Sequence, residues 1–310
     1  MKLGICCVYF YGADGRWLLP MQLRFISETV AGYDYTIYAA ANRLDSELKK
    51  ILAASSCVQI VELPDFVGDA NHEHAFFLDR LIDRAISDGC THVAAFDSDS
   101  FPIVQDWPAV LLRDMGGDIR FAAVIRAENG DSHLPHPCGY FMHRSFYVER
   151  RPGLFPSDSE ITSRLFREFI ANTKQRFDTG IGYGYALWSS GEKWLQLHRS
   201  NGVNEHFLMA GIYGDVFFHL GASSRRPSFH SDYTTRLDLR VVKRIGQMPF
   251  LWRVGRFLEG NYLKENEKIF RGIVSQLCNG PDSFFAKIAG EDSGKFERGL
   301  SRRRSGHGSA

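Results

Sequence analysis

The first hundred residues alternate between short apolar runs and longer segments whose apolar residues recur at helical spacing. The apolar runs that predict buried strands are "LGICCVYFY", "DYTIYAA", "VQIVELP" and "THVAAF". The segments "LLPMQLRFISETV", "LDSELKKILAAS" and "EHAFFLDRLIDRAISDG" lie between them and predict helices. Strands and helices that alternate at these lengths predict an α/β fold, in which helices cover both faces of a mainly parallel central sheet.

The pattern is looser after residue 120. The segments "RFAAVIRA" and "PCGYFMHRSFY" predict further strands, "SEITSRLFREFIANTKQ" predicts a helix, and "GDVFFHL" predicts a late strand that runs into a polar loop. From residue 239 onward basic and apolar residues are mixed, which indicates a helical C-terminal extension over 239–300. The final segment, 301–310, is "SRRRSGHGSA", and its composition predicts a disordered tail.

Composition narrows the class of protein. The 310 residues carry a formal net charge of only +1, so nothing indicates a nucleic-acid partner. The six cysteines form no CxxC pair and most lie in apolar runs, which predicts reduced core residues. We identify no signal peptide and no apolar run long enough to cross a bilayer. We therefore expect a soluble, cytoplasmic protein.

Two aspartates follow the fourth apolar run, in "THVAAFDSDSFP". In an extended strand residues i and i+2 face the same side, so Asp97 and Asp99 would point together at its carboxyl end. Ligands bind at the carboxyl ends of strands in open α/β sheets. Because two close carboxylates repel unless a cation lies between them, the pair predicts a divalent metal and a phosphate-bearing ligand.

Such a pair after an apolar strand resembles the DxD signature of GT-A fold glycosyltransferases. The later segment "VFFHLGASSR" resembles the strand and loop that give this fold a metal-binding histidine and small or basic residues for the diphosphate. The resemblance implies that Asp97, Asp99 and His219 bind Mn²⁺ or Mg²⁺, and that Ser224 and Arg225 contact the nucleotide sugar. A lone histidine that ends an apolar strand is otherwise usually a core residue, but its place after a DxD pair favours a metal ligand.

A third element, "FDTGIGYGYALWSSG", resembles the acidic motif that opens a helix in family 2 glycosyltransferases. Asp178 falls where that family has its general base, although Phe-Asp stands here in place of the usual Glu-Asp. Two alternatives remain open for Asp178. It could be the N-cap of a helix, since Asp followed by Thr-Gly is a good start signal, or a capping residue that also binds the acceptor.

Two further residues are implied by the resemblance. Asn42 follows the second strand, where many members contact the nucleobase, and the segment "NHEHAFFLDRLI" places His74 near the nucleotide. An ordinary polar role in a loop or a first helical turn is an equally good explanation for each of them.

Together these motifs imply a GT-A-like, Rossmann-like catalytic domain over 1–238. Its nucleotide-binding half would be about 1–105 and its acceptor half about 106–238. The implied activity is metal-dependent transfer of a sugar from a nucleoside-diphosphate sugar, with UDP as the expected nucleotide. The acceptor would be a carbohydrate or a lipid-linked glycan in bacterial glycan or glycolipid synthesis, and the outcome inversion. The alternatives are a retaining GT-A transferase and a haloacid-dehalogenase-like phosphatase in which Asp97 is the nucleophile.

The segment 239–258, "LRVVKRIGQMPFLWRVGRFL", interleaves basic residues with aromatic and aliphatic ones. We expect Pro249 to divide it into two short helical segments. One interpretation is an interfacial element on an anionic membrane, which would make the protein peripheral at the inner face. The more usual arrangement, which we favour, is an amphipathic helix whose apolar side packs on the sheet while the arginines stay in water.

Overall fold

The structure is a computed structural model, and it describes residues 1–11, 15–30, 32–221 and 237–290. Ser224, Arg225 and the tail 301–310 lie outside the described residues.

Ten strands and eleven helices make up the described fold. The strands are Lys2–Val8 (β1), Asp34–Ala40 (β2), Val58–Ile60 (β3), His92–Asp97 (β4), Ser100–Pro102 (β5), Phe121–Val124 (β6), His136–His143 (β7), Leu195–Leu197 (β8), Gly211–Tyr213 (β9) and Phe217–His219 (β10). The helices are Leu18–Thr29 (α1), Ser46–Ala53 (α2), Ala70–Ser87 (α3), Trp107–Met115 (α4), Arg144–Arg150 (α5), Asp158–Ile161 (α6), Arg164–Thr173 (α7), Ile181–Ser190 (α8), Leu237–Gln247 (α9), Trp252–Asn279 (α10) and Pro281–Ala289 (α11).

The central sheet has seven strands in the order β3-β2-β1-β4-β7-β6-β8. Strands β3, β2, β1 and β4 are parallel, β7 is antiparallel to both of its neighbours, and β8 is parallel to β6. Helices α1, α2 and α4 pack on one face, and α3, α5 and α8 on the other. Since both faces are covered, β1 and β4 are almost entirely apolar. The predicted fold class is confirmed.

A second sheet of three antiparallel strands, in the order β5-β10-β9, lies beside the first. Its register sets His219 opposite Ser100, directly after Asp99. Helices α10 and α11 support this sheet, because Ile273, Leu277, Phe284 and Phe285 pack with its aromatic residues. This end of the C-terminal extension therefore holds the late strand in place.

The start of the extension is a helical hairpin. Helix α9 ends at Gln247 and α10 begins at Trp252, so the predicted break at Pro249 is confirmed. The two helices cross closely, because a Cβ added to Gly255 would lie only 2.2 Å from the Cα of Gly246.

The expected packing of this hairpin on the sheet is wrong. Phe250 is 96% exposed and Phe257 is 68% exposed, and six further large apolar side chains of the hairpin are exposed beside them: Leu237, Val241, Met248, Leu251, Trp252 and Val254. The apolar residues that do pack on the small sheet come later in the chain, at the end of α10 and in α11. Across the described part of the chain, no helix has the length and apolar character required to span a bilayer.

Candidate active site

A cleft of about 430 Å³ opens at the carboxyl ends of the parallel strands. It is lined by the last residues of β1, β2 and β4, which are Val8, Ala40 and Asp97. Its volume falls in the range of about 300–1,000 Å³ that is usual for small-molecule sites. Six of the predicted site residues line this cleft: Asn42, His74, Asp97, Asp99, Asp178 and His219.

The aspartate pair occupies a turn between two sheets. Strand β4 ends at Asp97 and β5 begins at Ser100, so the expectation that both aspartates lie on one strand is wrong. The amide of Gln22 on α1 fixes the turn by donating to the carbonyl oxygens of Asp97, at 2.8 Å, and Ser100, at 2.7 Å. Both carboxylates still line the cleft, with Asp97 partly exposed and Asp99 buried.

The pairing of β5 with β10 brings His219 next to Asp99, which lies 120 residues earlier in the chain. The backbone N–H of Leu220 donates to the carbonyl of Asp99 at 3.0 Å, next to the pairing of β5 with β10. The Nε2 atom of His219 lies 3.3 Å from Oδ1 of Asp99 and 3.9 Å from Oδ2 of Asp97. Its other nitrogen, Nδ1, is buried and has no hydrogen-bond partner among the residues that the structure describes. His219 is therefore buried, but it faces carboxylates rather than an apolar core.

Two more imidazoles surround Asp97. The Nε2 atom of His74 lies 3.4 Å from Oδ1 of Asp97, and Nδ1 of His136 lies 3.9 Å from Oδ2. Asp69 is the N-cap of α3, since its side chain accepts hydrogen bonds from the N–H groups of Asn71 and His72. His74 therefore lies in the first turns of α3, where it lines the cleft. His74 thus lies beside the aspartate pair, and His136 is a cleft residue that the sequence did not indicate.

The electrostatics of this cluster favour a bound cation. Burial raises the pKa of Asp97 above its ordinary value, His74 and His219 act against that shift, and the charge of Asp99 adds to it. A divalent ion would compensate both carboxylates, and an oxygen and imidazole ligand set suits Mn²⁺ or Mg²⁺. The residues present therefore fit the predicted metal.

Cys138 is a further candidate ligand. Among the described residues, one group of three has metal-binding atoms that all lie within 4.8 Å of one another, and it consists of Asp97, Cys138 and His219. A thiolate is a softer ligand than Mn²⁺ or Mg²⁺ prefers, whereas a carboxylate oxygen such as that of Asp99 suits both ions. We therefore favour Asp99 over Cys138 as the third ligand.

Asp178 lies in the loop before α8 and is half-buried at the edge of the cleft. Its Oδ1 accepts from the N–H of Thr179 at 2.8 Å and from Nδ2 of Asn71 at 3.5 Å. The N-cap of α8 is Gly180, with φ of 102°, and no side chain caps this helix. The capping alternatives for Asp178 are therefore wrong, because Gly180 occupies the N-cap position. Only glycine fits at that position, since a Cβ on residue 180 would lie 2.2 Å from the carbonyl oxygen of Pro135.

Asn42 follows β2 and lines the cleft, where its Nδ2 donates to the carbonyl of Leu63 at 2.9 Å. This hydrogen bond gives it a structural role in the loop, and its position still exposes it to a ligand. The neighbouring Arg43 is paired with Glu73 at 2.8 Å.

Arg126 is another charged cleft residue that the sequence did not indicate. It comes just after the apolar run that forms β6, as Asp97 ends the run that forms β4. The signal that identified Asp97, a charged residue at the carboxyl end of a buried strand, was therefore also present for Arg126.

Comparison with known proteins gives weak likenesses. No protein-family model matches the sequence, and no curated protein matches it. The similar solved structures include the mannosyltransferase PcManGT from Pyrobaculum calidifontis in complex with GDP-Man and Mn²⁺, at 15% identity and a TM-score of 0.38. That match covers 50% of this chain and 48% of the mannosyltransferase, about half the length of each.

Two others show a similar range. A cytidylyltransferase from Leptospira borgpetersenii is 14% identical, with a TM-score of 0.41, and the match covers 79% of this chain and 94% of that one. S. aureus TarS in complex with UDP-GlcNAc is 8% identical, with a TM-score of 0.37 and coverage of 50% and 49%. At these identities and scores the likenesses assign no activity to the chain.

Proposed function

We propose that this protein is a metal-dependent glycosyltransferase of the GT-A type that uses a nucleoside-diphosphate sugar. The observation that carries the proposal is the convergence of Asp97, Asp99 and His219 at the strand ends of a nucleotide-sized cleft, with the carboxylate of Asp178 on its rim. Two carboxylates and an imidazole that faces them, rather than apolar side chains, form a ligand set that suits a divalent ion.

The donor would lie along the carboxyl edge of the sheet. Asn42, after β2, would face the nucleobase, while Asp97, Asp99 and His219 would hold Mn²⁺ or Mg²⁺ next to the diphosphate. When bound, such an ion stabilises negative charge on the departing diphosphate. His74 beside Asp97 would orient that carboxylate and donate to a phosphate oxygen. Ser224 and Arg225 remain proposed diphosphate contacts.

Asp178 would accept the proton of the acceptor hydroxyl. Asn71 and the backbone of Thr179 hold one of its carboxylate oxygens, which leaves the other free to act as general base. Direct displacement by an acceptor that a separate carboxylate activates inverts the anomeric centre. We propose a UDP-sugar as donor and a carbohydrate or lipid-linked acceptor in bacterial glycan or glycolipid synthesis.

A turnover screen tests the proposal. Common nucleotide sugars are incubated with the protein in Mn²⁺ or in EDTA, and release of nucleoside diphosphate is measured. We expect metal-dependent release from at least one donor. Hydrolysis of p-nitrophenyl phosphate in place of nucleotide-sugar turnover would support the phosphatase alternative instead.

We further propose that the hairpin of α9 and α10 lies on an anionic membrane surface, which would place a lipid-linked acceptor near the cleft. Residues 237–258 contain five basic side chains and one acidic one. Exposed Phe250, Trp252 and Phe257 lie among them, and the guanidinium groups of Arg253 and Arg256 stack on Trp252 at 5.4 and 5.2 Å. An exposed aromatic surface bordered by cations suits the interface of a bilayer with negative headgroups. The protein would then be peripheral on the cytoplasmic face.

Vesicle co-sedimentation measures this contact. We expect binding to vesicles that contain phosphatidylglycerol and none to pure phosphatidylcholine. Salt and the double variant Arg253→Glu, Arg256→Glu should weaken it by about 10-fold or more, since each basic residue near the surface contributes about 1 kcal/mol. Arg164→Glu, at an 89% exposed position elsewhere, is the matched control. Failure to bind anionic vesicles at low salt would exclude the membrane role and favour a soluble acceptor.

A further inference from the structure

The guanidinium group of Arg126 is largely buried, and no acceptor in the described part of the chain is hydrogen-bonded to its Nε. Its side chain is only 15% exposed, and it lines the cleft. Within the described ranges, its closest charged partner is Glu128, whose Oε1 lies 3.8 Å from Nε of Arg126, too far for a hydrogen bond. The Nε–H group is buried and has no acceptor within residues 1–11, 15–30, 32–221 and 237–290.

One carboxylate oxygen of Glu128, Oε1, is committed elsewhere, and the other, Oε2, is buried without a hydrogen-bond partner among the described residues. The hydroxyl of Tyr213 donates to its Oε1 at 2.5 Å, and Nη1 of Arg199 lies 3.7 Å from the same oxygen. Burial lowers the pKa of Arg126, but Tyr213, Cys138, Glu128 and Asp131 outweigh burial through space, so the pKa stays above the ordinary arginine value. Arg126 is therefore charged, yet among the described residues no acceptor forms a hydrogen bond with its buried Nε–H. Burying such a group is costly unless a ligand supplies the acceptor.

The order of the strands shows which part of a substrate Arg126 would meet. Asn42 follows β2, the aspartate pair follows β4, and Arg126 follows β6, on the far side of β4 from Asn42. If the nucleobase lies over β2 and the diphosphate at Asp97 and Asp99, the space beside Arg126 holds the sugar to be transferred or the acceptor.

We propose that Arg126 binds a carboxylate or phosphate group carried by the transferred sugar or by the acceptor, so that the enzyme selects an anionic substrate. This inference rests on the proposed glycosyltransferase function. A guanidinium presents paired N–H groups that match the two oxygens of a carboxylate or phosphate, and the buried setting strengthens such hydrogen bonds. A neutral sugar would leave these donors unpaired.

The donor arm of the test compares pairs that differ only at C6 of the sugar, UDP-glucose with UDP-glucuronate and UDP-galactose with UDP-galacturonate. The acceptor arm compares glucose with glucuronate and glucose 6-phosphate. In one arm we expect kcat/KM to favour the anionic member by about 10- to 100-fold, the value of a charged hydrogen bond in a buried site. Arg126→Gln should abolish that preference, and Arg126→Lys should retain part of it.

Binding of free UDP is the discriminating control. Equal loss of UDP affinity in Arg126→Gln would assign Arg126 to the diphosphate and overturn the inference, as would the absence of any anionic preference in both arms. Arg164→Gln serves as an exposed arginine control, and thermal melting checks that each variant is folded. Failure of the proposed glycosyltransferase function would give a different result, because the wild type would then turn over no nucleotide sugar at all.

Discussion

His219→Ala and Asp99→Asn should each weaken metal-dependent nucleotide binding by about 100-fold or more while the fold is retained. Loss even of a group that only orients a metal ligand typically costs 10- to 100-fold in affinity, so loss of a ligand should cost at least as much. Both residues lie at strand ends against the cleft, and neither contributes apolar packing to the central sheet. Calorimetric titration of UDP and GDP in Mn²⁺ measures the effect, and thermal melting measures the fold.

The control for this pair is His198→Ala, because His198 is exposed and outside the cleft. Unfolding of His219→Ala would indicate a core role for the imidazole. In that case His219→Gln, which fills most of the same volume, separates the two roles. If His219→Gln is folded and binds nucleotide with Mn²⁺ as the wild type does, His219 is not a metal ligand.

Asp178→Asn should reduce turnover by about 100- to 10,000-fold, the usual contribution of a general base, with donor affinity nearly unchanged. The asparagine Oδ1 can still accept the hydrogen bond from Thr179, and no side chain caps α8, so stability should change little. Initial rates of transfer and KM for the donor measure the two effects separately. Turnover close to that of the wild type would exclude Asp178 as the base and leave it as a loop residue.

The parallel half of the sheet could be predicted because its central strands, β1 and β4, are buried on both faces. Such strands are continuous apolar runs, and the amphipathic helices between them have a clear period, so β1 to β4 follow directly from the sequence. The same signal identified Asp97. The apolar-run signal fails in "PCGYFMHRSFY", which was predicted to be a strand throughout. Strand β7 ends at His143 and a helix begins at Arg144, because the imidazole of His143 caps that helix by accepting from the N–H of Ser145.

The rest of the site depends on pairings between distant segments. The proximity of His219 to Asp99 depends on the register of β5 against β10, two strands of three residues each, and no local pattern fixes that register. His136 reaches Asp97 only because β7 inserts beside β4. The exposed hairpin shows the same limit, since an amphipathic pattern shows that an apolar face exists but not what covers it.

The central claim is tested most directly by nucleoside-diphosphate release from nucleotide sugars by the wild-type protein, in Mn²⁺ and in EDTA. We predict release from at least one donor in Mn²⁺, its loss in EDTA, and its recovery when Mn²⁺ is restored. Turnover that is the same in EDTA, or no turnover of any nucleotide sugar in Mn²⁺, would contradict the account.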